Sequence, residues 1–218
     1  ILPIADVIIG TSVYENYKHI KRLSKTSKDD ITKWQNDALI KLVFHAYCNT
    51  KYYYNLFNKL NLKPTDIKRA EDLVKLPILT KQDIRENYDD LVPSNINKIK
   101  HKRASTGGST GEPLVYLLDY KSWSFTTAAN IFYWEKTGYR YGDKYVALGS
   151  SSLFVEKKKS LLHSIYYKFK NKFGLSGVNL SDEACRAHID FIRETKIRYI
   201  YGYASAIYGQ YPPAVNPI

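Results

Sequence analysis

Chemistry is concentrated in one stretch, Arg103-Ala-Ser-Thr-Gly-Gly-Ser-Thr-Gly-Glu-Pro-Leu114. Three of the eleven glycines, Gly107, Gly108 and Gly111, fall within five residues and are interleaved with the hydroxyls of Thr106, Ser109 and Thr110. Glycine permits positive φ and lets a ligand approach the backbone closely. Successive N–H groups in such turns form a concavity for anions, and hydroxyls add donors without blocking it. The apolar run Leu114-Val-Tyr-Leu-Leu118 follows. The stretch therefore reads as a hydroxyl- and glycine-rich loop entering a strand, a form suited to cradling phosphate. Gly111 is followed by Glu112-Pro113 rather than Lys and Ser/Thr, which excludes a Walker A loop, and the absence of a directly following helix excludes a dinucleotide-binding fingerprint. A flexible linker of Ser, Thr and Gly has the same composition, so the stretch alone leaves both readings open. Lys102 and Arg103 just before it can meet phosphate or form an ordinary solvated charge run.

Other chemistries find little support. Cys48 and Cys185 lie far apart with no metal-like spacing; both are expected to be buried small hydrophobes in a reducing, cytoplasmic compartment. His19, His45, His101, His163 and His188 show no pairing at i, i+4, so no metal site is expected. Lysine and arginine number 33 against 21 acids, a net charge of +12, which attracts polyanions. Lysine, asparagine, isoleucine and tyrosine are abundant along the whole chain, however, which explains the charge without a dedicated partner. No RNA-type aromatic motif is present, and no specific nucleic acid is expected.

With 218 residues, 44% apolar and 25% charged, the composition is that of a soluble globular protein of one domain or one and a half. No run approaches the ~20 apolar residues of a membrane-spanning helix. The opening nonapeptide lacks a basic leader and is cut by Pro3 and Asp6, so a signal peptide is not expected. No methionine occurs anywhere, from which the chain is expected to be a fragment or a processed product.

The elements that must position the loop follow from periodicity. Ile31, Trp34, Ala38, Leu42 and Ala46 recur at helical spacing, with Asp29 or Asp30 as the cap. A second helical piece spans residues 52–60. Thr80 and Asp83 form a capping-box pair for a helix ending before Pro93, and residues 95–103 read as a polar, basic connector. Beyond the loop come a strand over 114–118, a helix from Asp119 to about Thr137 stopped by Gly138, and a strand over 144–149. Ser181 caps a helix to about Lys196, and a strand follows over 197–201. Alternating strands and helices predict an α/β fold with a largely parallel βαβ sheet behind a helical N-terminal region. Ligands of such sheets gather at loops beyond the strand ends. Between these units, Leu161, Leu162, Ile165, Tyr166, Phe169 and Phe173 fall on one helical face flanked by Lys157, Lys158, Lys159, Lys168, Lys170 and Lys172. That pattern fits a helix packed on its own domain or one lying on an anionic membrane surface.

Several segments together resemble adenylate-forming enzymes, in particular the branch of phenylacetate–coenzyme A ligase and the related capsular-polysaccharide biosynthesis proteins. Thr106-Gly-Gly-Ser-Thr-Gly-Glu-Pro113 is similar to their phosphate-binding signature. Leu76-Pro-Ile-Leu-Thr-Lys81, His45-Ala-Tyr47, Tyr52-Tyr53, Gly138-Tyr-Arg-Tyr-Gly-Asp143 and Ile200-Tyr-Gly-Tyr-Ala-Ser-Ala-Ile207 continue the likeness in order, to about Tyr208. The resemblance implies that a carboxylate attacks the α-phosphate of ATP to give an acyl-adenylate and pyrophosphate. In many members a thiol such as coenzyme A then displaces AMP; Mg²⁺ is required. It assigns Thr106, Gly107, Gly108, Ser109, Thr110 and Gly111 to holding the β- and γ-phosphates, with Pro113 fixing the exit into the strand. Glu112 stands where many relatives carry lysine.

The resemblance also implies an incomplete adenylate-forming N-terminal domain. A helical region would occupy 1–100, the phosphate loop and βαβ part 101–208, and an atypical tail 209–218, with the C-terminal domain absent. An aromatic-Tyr-Gly-x-Thr-Glu segment, a ribose-holding Asp and the catalytic Lys of the family do not occur, so this polypeptide alone is not expected to complete adenylation. The alternatives are a non-catalytic nucleotide-binding or scaffolding domain and, on charge alone, a basic binder of membrane surface or nucleic acid.

Overall fold

The structure is a computed structural model and describes residues 2–106, 113–149, 171–177 and 181–210. The chain forms two compact units, one of Ile1–Tyr14 with Thr127–Ile218 and the other of Glu15–Thr126. It opens with α1 (Leu2–Ile9) and α2 (Val13–Leu23). The carboxylate of Asp6 makes the corner by accepting hydrogen bonds from the Thr11 hydroxyl at 2.6 Å and from the N–H groups of Val13 at 2.9 Å and Tyr14 at 2.7 Å. The first donors of a helix have no partner within it, and a carboxylate there satisfies them.

The unit of residues 15–126 is built on α3 (Lys28–Asn49) and α4 (Lys51–Lys59). Ser27 caps α3 through Asp30 N–H, in place of the expected Asp29 or Asp30, because its side chain sits one step before the first helical residue. The buried stripe of α3 also differs from the expected one. Leu42 is 63% exposed, whereas Val43 is buried with Phe57 and Ile67, and Leu39 and Tyr47 pack against that cluster. Helical spacing fits both sets, and contact with α4 selects the second. Cys48 is exposed rather than buried for the same reason. Nearer its start, α3 holds Trp34 stacked on Phe125 with ring centroids 5.8 Å apart.

Two short 3₁₀ turns (Pro64–Asp66 and Ala70–Lys75) lead to α5 (Lys81–Glu86) and α6 (Tyr88–Leu91). Thr80 and Asp83 form the expected capping box, with Thr80 N–H donating to Asp83 at 2.8 Å and Asp83 N–H to Thr80 at 3.1 Å. The expected connector over 95–103 is ordered backbone instead: a 3₁₀ turn at Ile96–Lys98 followed by strand β1 (His101–Ser105). β1 pairs antiparallel with β2 (Val115–Asp119), from His101 opposite Asp119 to Ser105 opposite Val115. The strand after the glycine loop therefore belongs to a hairpin and not to the parallel sheet.

The chain leaves this unit within α7 (Tyr120–Glu135). The other unit carries β3 (Tyr145–Gly149), β4 (Lys172–Ser176) and β5 (Tyr199–Gly202), a parallel sheet in the order β4-β3-β5. All five residues of β3 are buried, as expected of a central parallel strand. α8 (Asp182–Thr195), capped by Ser181 through Ala184 N–H at 3.2 Å, crosses to β5, and α9 (Ala204–Gln210) follows. The expected lysine-flanked helix is corrected at its end: Lys172 and Phe173 open β4, paired with Tyr145 and Val146. Lys157, Lys158, Lys159, Lys168 and Lys170 lie outside the described residues. Among the described residues no helix is long and apolar enough to cross a membrane.

Strand β5 lies close against β3 because Gly202 has no side chain. A Cβ there would meet the Leu148 carbonyl oxygen at 2.5 Å and the Leu148 Cβ at 2.8 Å. Phe57, 1% exposed, holds the other core. Phe57→Ala is expected to destabilise by about 3–5 kcal/mol, and Gly202→Ala by about 1–3 kcal/mol through overpacking. Ile78→Ala, at a side chain 90% exposed, is the control, changing stability by less than about 0.5 kcal/mol. Urea unfolding with separate probes for the two units checks all three.

Candidate functional site

The hairpin fixes where the glycine loop begins and ends. Thr106 N–H donates to the Leu114 carbonyl at 2.9 Å, and Leu114 N–H donates to the Thr106 hydroxyl oxygen at 3.0 Å. These two bonds extend the ladder one residue beyond Ser105 and Val115, so Thr106 and Leu114 are held together at the mouth of the hairpin. The Thr106 hydroxyl is consequently an acceptor for the loop's exit strand before it is anything else. Gly107, Gly108, Ser109, Thr110 and Gly111 lie outside the described residues. Among the predicted loop residues, Thr106 is the one whose placement is described, at the hairpin mouth.

Beyond β2 the chain turns directly into α7. Asp119 makes that turn, its Oδ1 accepting from the N–H groups of Lys121 and Ser122, each at 2.9 Å. Partial burial pushes this carboxyl up, but bonds from Ser122 and Lys121 outweigh it and hold it below the usual carboxylate value. Lys102, expected as a solvated or phosphate-meeting charge, has its Nζ 5.1 Å from the centre of the Trp123 ring, and Lys100 Nζ lies 4.6 Å from that of Tyr120. Both are cation–π contacts between the start of the strand and the residue before it on one side and the first turn of the helix after the hairpin on the other. They brace the end of the hairpin away from the loop, where Lys102 falls opposite Leu118.

The unit with the parallel sheet holds a second feature, one the sequence reading did not single out. A cleft of about 870 Å³ is bounded by the end of α7, the turn over 138–143 and β5. Trp134 is the hub of its aromatic wall, with ring centroids 5.5 Å from Tyr139, 5.4 Å from Tyr145 and 5.1 Å from Tyr201. Tyr139 also meets Tyr199 edge to face at 5.3 Å, and the Tyr199 hydroxyl donates to the Gly138 carbonyl at 2.7 Å. Gly138 and Gly142 have φ of 87° and 104°, values that favour glycine, and they let the turn fold back. Arg140 N–H donates to Asp143 Oδ2 at 2.7 Å, closing the turn, and the side chains of Arg140 and Arg198 line the same cleft. Its sequence signal was the Tyr-x-Tyr spacing with an adjacent arginine in Gly138-Tyr-Arg-Tyr141 and Arg198-Tyr-Ile-Tyr201, visible only once both segments were placed side by side.

Among the described residues no group of three or more His, Cys, Asp or Glu side chains is arranged to hold a metal ion. These residues therefore offer no dedicated ligand set for the implied Mg²⁺.

No protein-family model matches the chain. It is 27% identical over 192 residues to Protein CapK of Staphylococcus aureus, covering 88% of this chain and 42% of that protein. To the phenylacetate-coenzyme A ligase of Aromatoleum evansii it is 32% identical over 128 residues, covering 57% of this chain and 28% of that enzyme. Among solved structures, 2-hydroxyisobutyryl-CoA ligase in complex with 2-HIB-AMP and CoA superposes with a TM-score of 0.59 at 17% identity, covering 85% of this chain and 39% of that one. An open conformation of that ligase gives 0.60 at 16% identity, covering 85% and 43%. This likeness shows a shared fold. The chain spans less than half the length of these relatives.

Burial pushes the Tyr139 hydroxyl up to about 12 from an ordinary value of 10.0; a bond from Gly142 opposes the shift, and nearby Tyr141, Asp143 and Tyr199 add to it. An unfolded tyrosine ionises near 10, so the preference for the folded state is intact below that pH and is lost as pH rises through the folded value. Unfolding midpoints in urea should fall between pH 10 and 12, and less steeply in Tyr139→Phe. Equal slopes in the two proteins would contradict this burial.

Proposed function

This chain belongs to the adenylate-forming ligase superfamily, and on that premise we propose that it supplies the ATP-phosphate-holding part of a carboxylate–coenzyme A ligase. The supporting observation is the pair of bonds between Thr106 and Leu114 at 2.9 and 3.0 Å, which fixes both ends of the glycine loop at one hairpin mouth. A linker has no reason to be closed in this way, whereas a phosphate cradle must have its donors preorganised before the ligand arrives.

In the proposed reaction a carboxylate oxygen of the substrate bonds to the α-phosphorus of ATP, and the bond from that phosphorus to the bridging oxygen breaks. Pyrophosphate leaves with the bonding electrons. Backbone N–H groups of Gly107, Gly108 and Gly111 and the hydroxyls of Ser109 and Thr110 hold the β- and γ-phosphates as negative charge grows on them. Charge-assisted bonds of this kind are shorter and stronger than neutral ones. Mg²⁺ when bound would spread phosphate charge; it is usually carried by the phosphates, waters and one or two carboxylates. In a second step a thiol of coenzyme A attacks the acyl carbon and AMP departs. The setting we propose for the acyl product is surface-polysaccharide assembly, which the likeness to the capsular branch suggests.

Glu112 places a carboxylate within the loop sequence. Isothermal titration of ATP should show Ser109→Ala/Thr110→Ala weakening affinity about a hundredfold or more, as expected for losing two bonds to charged groups. Glu112→Lys should tighten it roughly three- to tenfold by exchanging repulsion for attraction. Unchanged affinity in the Ser109/Thr110 double variant would overturn the assignment of the loop.

A further inference from the structure

We propose that the cleft between the end of α7, the 138–143 turn and β5 is a second ligand site, built for a planar ring that carries an anionic group. It lies wholly within the unit that carries the parallel sheet.

Three observations carry this. The first is unused aromatic surface. Trp134 packs edge-on against Tyr139 and Tyr145, at interplanar angles of 89° and 61°, and remains only half-buried. Tyr201, tilted 49° to it, is 52% exposed. An aromatic cluster whose only task is packing buries its rings. Here the inner rings, Tyr139 and Tyr145, are buried and hold the outer ones in place, leaving Tyr201 and Trp134 as a rigid stacking surface.

The second is charge. Arg140 and Arg198 both line the cleft, and neither guanidinium is paired with a carboxylate among the described residues. The one carboxylate on the wall, Asp143, is occupied in the turn through Arg140 N–H. A planar guanidinium is the side chain best matched to phosphate or carboxylate oxygens. The adjoining wall adds no opposing charge, since the Tyr139 hydroxyl stays protonated up to about 12.

The third is size and rigidity. The volume of about 870 Å³ lies in the range typical of small-molecule sites. The turn that carries Arg140 is tied down at Gly138 by the Tyr199 hydroxyl at 2.7 Å and at Gly142 by Asn171 Nδ2 at 2.6 Å. Both bonds join the turn to the strand region, so the charged side chains are presented by backbone that is held in place.

Two sources share this chemistry, a purine nucleotide and an aromatic carboxylic acid. The test titrates the Ser109→Ala/Thr110→Ala protein, in which the glycine loop is disabled, with AMP, benzoate, adenosine and inorganic phosphate, followed by calorimetry and tryptophan fluorescence. AMP, benzoate or both should bind at millimolar concentration or below, and adenosine and phosphate about tenfold more weakly, because each lacks one half of the recognised group. AMP alone identifies a nucleotide site, and benzoate alone an aromatic-acid site. Arg140→Ala/Arg198→Ala, at exposed positions, should remove the advantage of the anionic ligands, and Tyr201→Ala should weaken ring binding about tenfold. Circular dichroism of each variant shows that the fold is retained. Binding by neither AMP nor benzoate overturns the proposal, as does binding that the arginine and Tyr201 variants leave unchanged.

Discussion

The burial of β3 is the constraint on which the sheet unit depends. Every residue from Tyr145 to Gly149 is buried, and the strand is hydrogen-bonded on both sides, to β4 and to β5. A buried peptide group without a partner is costly, so both neighbours must be present and in register for β3 to be inside at all. Register then determines what meets what. Tyr145 falls opposite Tyr199, which brings two segments far apart in sequence together and hangs the aromatic wall on the first residue of each strand. At the other end Leu148 falls opposite Gly202, and the missing side chain there is what allows the close approach.

The unit of residues 15–126 solves a different problem. Its core is a small cluster around Phe57 between helices, and its hairpin pairs a largely exposed β1 with a mostly half-buried β2. A two-stranded ribbon is weak by itself. Here the Thr106–Leu114 pair closes one end, and the Lys100–Tyr120 and Lys102–Trp123 contacts tie the other to α7. These lysines sit at the end of the ribbon away from the loop, where Lys102 falls opposite Leu118.

Helices and caps were legible in the sequence where the signal is local. Thr80 with Asp83, and Ser181 before Asp182, needed only a hydroxyl one step before a helix. Mistakes arose where two local readings were equally good. α3 has two apolar stripes, and the choice of Val43 over Leu42 was made by Phe57 across the helix interface. Residues 95–103 are polar because β1 is an exposed ribbon strand, and polarity without burial gives no period-2 signal. Lys172 and Phe173 continue a helical pattern in sequence yet pair with β3, since a backbone ladder to a buried strand outweighs a periodicity preference.

What the sequence by itself determined was the kind of chemistry on offer: glycine and hydroxyl spacing at 106–111, and ordered segments that resemble adenylate-forming enzymes. Those depend on residue type and on neighbours a few positions away, which the linear order records directly. Tertiary structure alone decided that Thr106 and Leu114 would close the loop, and that Trp134, Arg140, Arg198 and Tyr201 would share one cleft. Such juxtapositions are set by strand register and by which helix face is buried. Both are properties of contacts between distant segments, and the types of the residues involved leave them undetermined.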